Sequence, residues 1–195
     1  VLLDLDSVPR SRGWDHTTVL CLQDDLVRAD RGEVLAYVVR LLRHWGRERG
    51  RVVMLECLPP GDLHGWEELR RHVPRLELLT FDRLWHEGLP EGENVRWIST
   101  RFHPHLVAAA GGAPGVALAL GGDYYRAKHD SLVDLGSSWS VVDDLAVPLP
   151  PLPHAGSSFR ARLDELGRLK AAVADRSSTL PRGRSASPAR EGRAG

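Results

Sequence analysis

The sequence predicts an α/β domain built on a mainly parallel, doubly wound sheet. Short runs rich in Val, Ile and Leu recur without polar alternation, at residues 17–23, 51–58 and 115–120, which is the pattern of strands covered on both faces. Stretches with apolar residues at helical spacing separate them, most clearly Val34, Leu35, Val38, Leu41, Leu42 and Trp45. Strand and helix alternate along most of the chain, and that order favours crossover connections over a sandwich.

Taken in order, residues 17–23 form the first strand. Asp30 caps the following helix with Glu33 three residues on, and Gly46 ends it. Residues 51–58 form the second strand, stopped by Pro59-Pro60-Gly61, and Asp62 is placed to cap a short helix reaching about His72. A third strand at 76–80 leads into a helical turn at 81–85 and a Gly/Pro/Glu loop at 87–94. A fourth strand at 95–98 carries Ser99-Thr100-Arg101 at its carboxyl end, and a small-residue helix begins around Pro104. The fifth strand, 115–120, is followed by a helix from about Ala127 to Leu135, closed by Gly136, and a sixth short strand at 139–142.

The outer segments differ in character. Residues 1–16 read as the end of a linker, which predicts a further domain ahead of Val1, and 17–147 as the folded domain. Pro148-Leu149-Pro150-Pro151-Leu152-Pro153 makes 148–157 an extended connector, 158–174 has helical spacing, and 175–195 has too little to bury and reads as disordered.

With 195 residues the chain is long enough for one sizeable core and a tail. Its formal net charge is zero, so nothing global calls for nucleic acid or an anionic membrane as partner. Only two of the 26 basic residues are lysines, Lys128 and Lys170, so each stands out. Cys21 and Cys57 lie in apolar runs with no metal or redox spacing and read as buried free thiols of a reducing compartment. No apolar run approaches the ~20 residues of a membrane span, and the chain reads as cytoplasmic.

In open α/β sheets ligands bind outside the carboxyl ends of the strands, which directs attention to the stretch from Trp97 to Leu106. Arg101 offers a fork for phosphate or carboxylate, and His103 is a side chain type able to exchange protons. The helix starting near Pro104 adds free N–H groups and the positive end of a dipole. Lys128 lies at the same edge after the fifth strand, with Asp123, Tyr124 and Tyr125 to orient it. Gln23, Asp24, Asp25 and Glu56, at the ends of the first two strands, are weaker candidates for the rim. His103 and His105, at i and i+2, point different ways on a helix and are followed by no third ligand at zincin spacing, so no metal site is assigned. His129, like His64, His72 and His86, shows no metal or triad spacing.

The residues Ile98-Ser99-Thr100-Arg101-Phe102-His103-Pro104-His105-Leu106, the run from Ala108 through Gly115 to Leu118, and Asp123-Tyr124-Tyr125-Arg126-Ala127-Lys128 resemble the C-terminal half of the polysaccharide pyruvyltransferases. That family's hallmark is an Arg-aliphatic-His step, a small-residue helix, a G-x-P turn into a strand and a Tyr/Asp-x-x-Lys element. The resemblance implies a GT-B-like enzyme of two Rossmann-like domains, of which this chain supplies the donor-binding half and requires the N-terminal one for activity. It implies transfer of pyruvyl from phosphoenolpyruvate to a sugar hydroxyl of a polysaccharide or glycan as a ketal, with no cofactor. By position Arg101 would hold the donor, His103 would be the general acid, and Lys128 would add positive charge. Ser99, Thr100, Tyr125 and Gln23 would complete the donor pocket, Gln23 standing where many relatives have an arginine. Phe102 replaces the usual aliphatic residue. Two alternatives stay open: a GT-B glycosyltransferase using a nucleotide sugar, which would need a carboxylate for the ribose near Glu56 or Asp82, and a non-catalytic relative that binds an anion or a protein.

Overall fold

A computed structural model describes residues 8–23, 29–59, 61–63, 65–156 and 158–178, the last six as backbone only. In chain order the elements are β1 (Arg10–Ser11), β2 (Thr18–Cys21), α1 (Arg31–His44), β3 (Val52–Leu55), a 3-10 turn (Gly61–Leu63), α2 (Trp66–His72), β4 (Leu76–Leu79), α3 (Phe81–Glu87), β5 (Leu89–Pro90), β6 (Arg96–Ser99), α4 (Phe102–Ala110), β7 (Gly115–Leu118), α5 (Asp123–Asp134), β8 (Ser140–Val142) and α6 (Ser158–Ser178).

Six strands form one parallel sheet in the order β4-β3-β2-β6-β7-β8. The chain starts in the middle, winds outward to β4, then returns to the other side of β2 and winds outward again. This is the doubly wound, Rossmann-like arrangement that the strand and helix alternation predicts, and its direction of winding reverses between β2 and β6. β2, β3, β6 and β7 are buried at every position, which explains their unbroken apolar sequences. Edge strand β4 exposes Glu77, whose carboxylate receives Arg51 at 3.0 Å.

Alternate residues of each strand feed two cores. Leu20, Met54, Ile98 and Val116 face α1 and α2, while Val19, Val53, Trp97 and Ala117 pack under Leu84 of α3, the alanines of α4, Leu132 of α5 and Phe159 of α6. Helix α1 behaves as its sequence predicts. Asp30 accepts from the Glu33 N–H at 3.2 Å, the aliphatic stripe is buried, and Arg43 and His44 sit at the negative end of the dipole. Residues 148–153 run as an extended connector across the first core, where Leu149 and Leu152 pack and the Trp45 indole N–H donates to the Pro150 carbonyl at 3.0 Å.

Several boundaries differ from those read in the sequence. Residues 10–14, expected within a linker, belong to the domain: Arg10 and Ser11 pair with Leu89 and Pro90, and Trp14 is 4% exposed in the second core with Arg51 stacked on its ring. An isolated tryptophan among polar residues carries no periodic signal, yet its indole demands cover. The same pairing turns part of the expected 87–94 loop into β5. Helix α5 begins at Asp123, a full turn before Ala127, because Gly122 adopts φ +90° and turns the chain directly into it. Helix α6 runs to Ser178 rather than 174. Of the expected tail at 175–195, residues 175–178 are thus helical and 179–195 lie outside the described residues, as do the opening residues 1–7. Among the described residues no helix is long and apolar enough to cross a membrane.

Candidate functional site

The direction of winding reverses between β2 and β6, and the residues at the carboxyl ends of the strands there divide into those that hold the edge together and those left available. Thr100 and Gln23 belong to the first group. The Thr100 hydroxyl accepts from the Gln23 N–H at 2.7 Å, the Thr100 N–H donates to the Cys21 carbonyl at 3.0 Å, and both side chains are buried. Ser99 is wholly buried and its hydroxyl accepts from the Arg101 N–H and donates to the Arg101 carbonyl, both at 3.0 Å. Of the three expected to touch a substrate, Thr100 spends its hydroxyl tying β6 to the end of β2, Ser99 spends its own on the turn into α4, and Gln23 contributes its backbone N–H. Glu56 is similarly engaged, its carboxylate accepting from Phe81 N–H at the start of α3 at 2.9 Å. Asp24 and Asp25 lie outside the described residues.

Arg101 precedes the first residue of α4 and is mostly buried. One edge of its guanidinium grips Asp62: Nε lies 3.1 and 3.0 Å from the two carboxylate oxygens, and Nη2 contacts Oδ1. Asp62 has no exposed side-chain surface, and its Oδ2 also accepts from the N–H groups of Cys57 and Leu58, each at 2.9 Å. Its expected role as a helix cap is not the one it plays; Gly65 precedes α2, with no side-chain cap. A buried carboxylate needs both a counter-charge and donors, and the turn after β3 supplies the donors while Arg101 supplies the charge. Among the described residues Nη1 of Arg101 has no partner, so the opposite edge of the fork is left over.

Helix α4 starts at Phe102 with no side-chain cap, and Pro104 has no N–H to satisfy, so the free donors of its first turn are those of Phe102 and His103. His103 is exposed. Its ring touches only that of Phe102, with centroids 5.6 Å apart, and among the described residues its nitrogens have no partner. Lys128, on the second turn of α5, also reaches the Phe102 ring. Its ammonium stands 4.3 Å from the Tyr124 ring, 5.4 Å from the Tyr125 ring and 5.8 Å from the Phe102 ring, and it has no carboxylate partner among the described residues. His103 and Lys128 thus share the Phe102 ring at the uncapped start of α4, with Tyr125 beside Lys128 and Arg101 immediately before Phe102 in the chain. Asp123 lies exposed at the head of α5.

Beneath this edge two buried histidines join the helices. Nδ1 of His105 lies 2.9 Å from Nδ1 of His129, and Nε2 of His105 lies 2.8 Å from the Ser137 hydroxyl. Trp139 stacks on His105 at 4.3 Å between centroids. Two Nδ1 atoms in contact require one N–H and one lone pair. Either His129 donates to His105 and His105 to Ser137, which leaves His129 Nε2 as a lone pair, or Ser137 donates to His105 and His105 to His129, which leaves an N–H there; among the described residues that Nε2 has no partner. Burial holds both rings in the neutral form: His105 is pushed down to about 3, with the His129 charge adding to the effect, and His129 to about 4. The divergence of His103 and His105 expected from their i, i+2 spacing is complete, one at the surface and one in the core.

Among the described residues, one cluster has metal-ligand spacing, formed by Cys21, Cys57 and Asp62. Its carboxylate is already occupied by two N–H groups and a guanidinium.

The fold is that of a Rossmann-like α/β domain, with Arg101 following β6 and Lys128 on the helix that follows β7. No protein-family model matches the chain, and no curated protein matches it significantly.

Proposed function

We propose that the chain is the donor-binding domain of a polysaccharide pyruvyltransferase-like enzyme, with phosphoenolpyruvate as donor. The observation that carries this reading is the position of Lys128: an ammonium with no carboxylate partner among the described residues, set against three aromatic rings and sharing the Phe102 ring, at the uncapped start of α4, with an exposed histidine. Such an edge attracts a small dianion and sets a proton donor against it.

Phosphoenolpyruvate carries a phosphate and a carboxylate joined to one enol carbon. On this reading Nη1 of Arg101, the N–H groups of Phe102 and His103, and Lys128 bind those anions, and Asp62 keeps the guanidinium from turning away. His103, protonated, delivers a proton to the methylene carbon, which makes the adjacent carbon electrophilic to a sugar hydroxyl. A second hydroxyl of the same sugar then displaces phosphate and closes the ketal. Protein cations stabilise the phosphate as it leaves. The acceptor side is supplied by the other domain that the resemblance implies.

A nucleotide-sugar enzyme would instead ask Glu56 or Asp82 to hold a ribose; one Glu56 oxygen accepts from the Phe81 N–H and Asp82 is exposed. Calorimetric titration discriminates: phosphoenolpyruvate binds and nucleotide sugars do not. Tight nucleotide-sugar binding with none for phosphoenolpyruvate sinks the proposal. In the full-length protein His103→Ala is expected to lower sugar pyruvylation by ~100-fold or more while leaving the fold intact, and unchanged activity would eliminate the acid.

A further inference from the structure

Cys21 ends β2, and Cys57 lies two residues beyond β3, the strand hydrogen-bonded to it. Thirty-six residues apart and in no redox motif, the two are joined by the parallel pairing of their strands, which brings their sulfurs to 3.4 Å. Both thiols are free. Their exposures differ in a useful way: Cys21 is completely buried and directs its S–H at the Cys57 sulfur, while Cys57 is only half-buried. The Cys57 contact, then burial, holds the Cys21 thiol well above its ordinary range, so Cys21 stays protonated until its neighbour reacts. Arg101 stands close enough to interact with the charge of either sulfur. Because Asp62 already accepts from Arg101, Cys57 and Leu58, the chemistry open to this pair is sulfur with sulfur rather than metal coordination.

We propose that Cys21 and Cys57 form a redox-active dithiol at the carboxyl ends of β2 and β3, oxidised by a small disulfide such as glutathione disulfide. The Cys57 thiolate attacks one sulfur of glutathione disulfide and expels a glutathione thiolate. Cys21 then gives up its proton and attacks the Cys57 sulfur of the mixed disulfide, expelling the second glutathione. Two protein thiols become one disulfide, one glutathione disulfide becomes two glutathione thiols, and both protons leave with those thiols. Closure requires the sulfurs to approach to ~2.05 Å, and the side on the turn after β3 gives way more easily than the centre of the sheet. That turn holds the two N–H groups bonded to Asp62, so oxidation pulls on the carboxylate that anchors Arg101. Sulfur chemistry thereby reaches the anion edge. The proposal is independent of pyruvyl transfer, which uses no cysteine.

The test holds the native full chain in glutathione buffers of graded ratio, quenches with acid, alkylates the remaining thiols and measures mass. Both thiols are expected to disappear together, with the loss of two hydrogen atoms from the intact mass and a single Cys21–Cys57 cross-linked peptide. In Cys21→Ala the chain stops with one glutathione on Cys57, whereas Cys57→Ser stays unmodified. The amides of Cys57 and Leu58 exchange hydrogen faster in the oxidised chain. Two alkylatable thiols after equilibration in a strongly oxidising buffer, or a disulfide joining two copies of the chain, would overturn the proposal. Unchanged exchange at Cys57 and Leu58 would overturn the link to Arg101. The wild-type thiol count decides the first point even if a variant fails to fold.

Discussion

Acid should weaken this fold through His105 and His129 well before carboxylates are titrated. Both rings are held neutral in the native state, at about 3 and about 4 against an ordinary 6.5, whereas in the unfolded chain they protonate freely. The sign follows from linkage. Above pH 6.5 neither state binds the protons and the pair's contribution is fully present. Below it the unfolded state binds two protons that the native state refuses, so stability falls as pH falls toward 4. Each unit of pH is worth ~1.4 kcal/mol per proton, so between pH 7.5 and 5.5 the two histidines together should remove about 3 kcal/mol, and by pH 4.5 about 5. That is a large share of the 5–15 kcal/mol typical of a domain. Urea unfolding at pH 7.5, 6.5, 5.5 and 4.5 measures the slope, and His129→Leu separates the pair from the carboxylates. The variant is expected to lose roughly half of the slope between pH 6.5 and 5. An identical pH profile in wild type and variant would refute the reasoning, because the slope would then arise elsewhere.

Removal of the Asp62 carboxylate leaves a guanidinium and two N–H groups unpaired in a buried turn. Asp62→Ala should cost about 3–5 kcal/mol and Asp62→Asn distinctly less, read from urea midpoints; a loss below ~0.5 kcal/mol would deny the carboxylate its structural role. Lys128→Gln should leave the urea midpoint nearly unchanged but weaken phosphoenolpyruvate binding by about 10-fold or more, an effect that shrinks in high salt; equal affinity in both chains would remove Lys128 from the site. Gly115→Ala would set a methyl group 2.7 Å from the Trp139 ring and the Trp97 carbonyl, so it should cost about 1–3 kcal/mol and lower the Tm by several degrees; an unchanged Tm would mean that the tryptophan moves aside freely.

The sheet was legible because its strands announce themselves. A run such as Val52, Val53, Met54, Leu55 has no exposed position and therefore no polar one, and Asp30 with Glu33 marks the start of α1 as plainly as any cap can. Arg101, His103 and Lys128 were legible for a different reason: strand ends fall on one edge of a parallel sheet, so residues distant in sequence share a neighbourhood. What their side chains do was not. Ser99 and Thr100 look like ligand groups in any list of residue types, yet each hydroxyl is taken by a nearby backbone group. Asp62 escaped because the local pattern, a carboxylate after Pro-Gly, suggests a helix cap. The complementary signal was present, since Asp62 follows β3 at the edge where Arg101 follows β6. His129 carried no signal at all, because a buried histidine pair is defined by the packing of two helices and not by spacing in either one.

That histidine pair has a consequence for the edge above it. His105 sits one turn below the residues that start α4, and His129 adjoins Lys128 on α5, so the 2.9 Å bond between them works as a rivet between the two helices. With Trp139 stacked against one ring and Ser137 closing the far end, neither helix can slide or roll without breaking a hydrogen bond that water cannot reach to replace. The relative placement of the first turn of α4 and the second turn of α5 is therefore set when the chain folds. On the proposed reading, the helix starts that would meet phosphoenolpyruvate need not move to receive it, and less conformational freedom would be surrendered on binding.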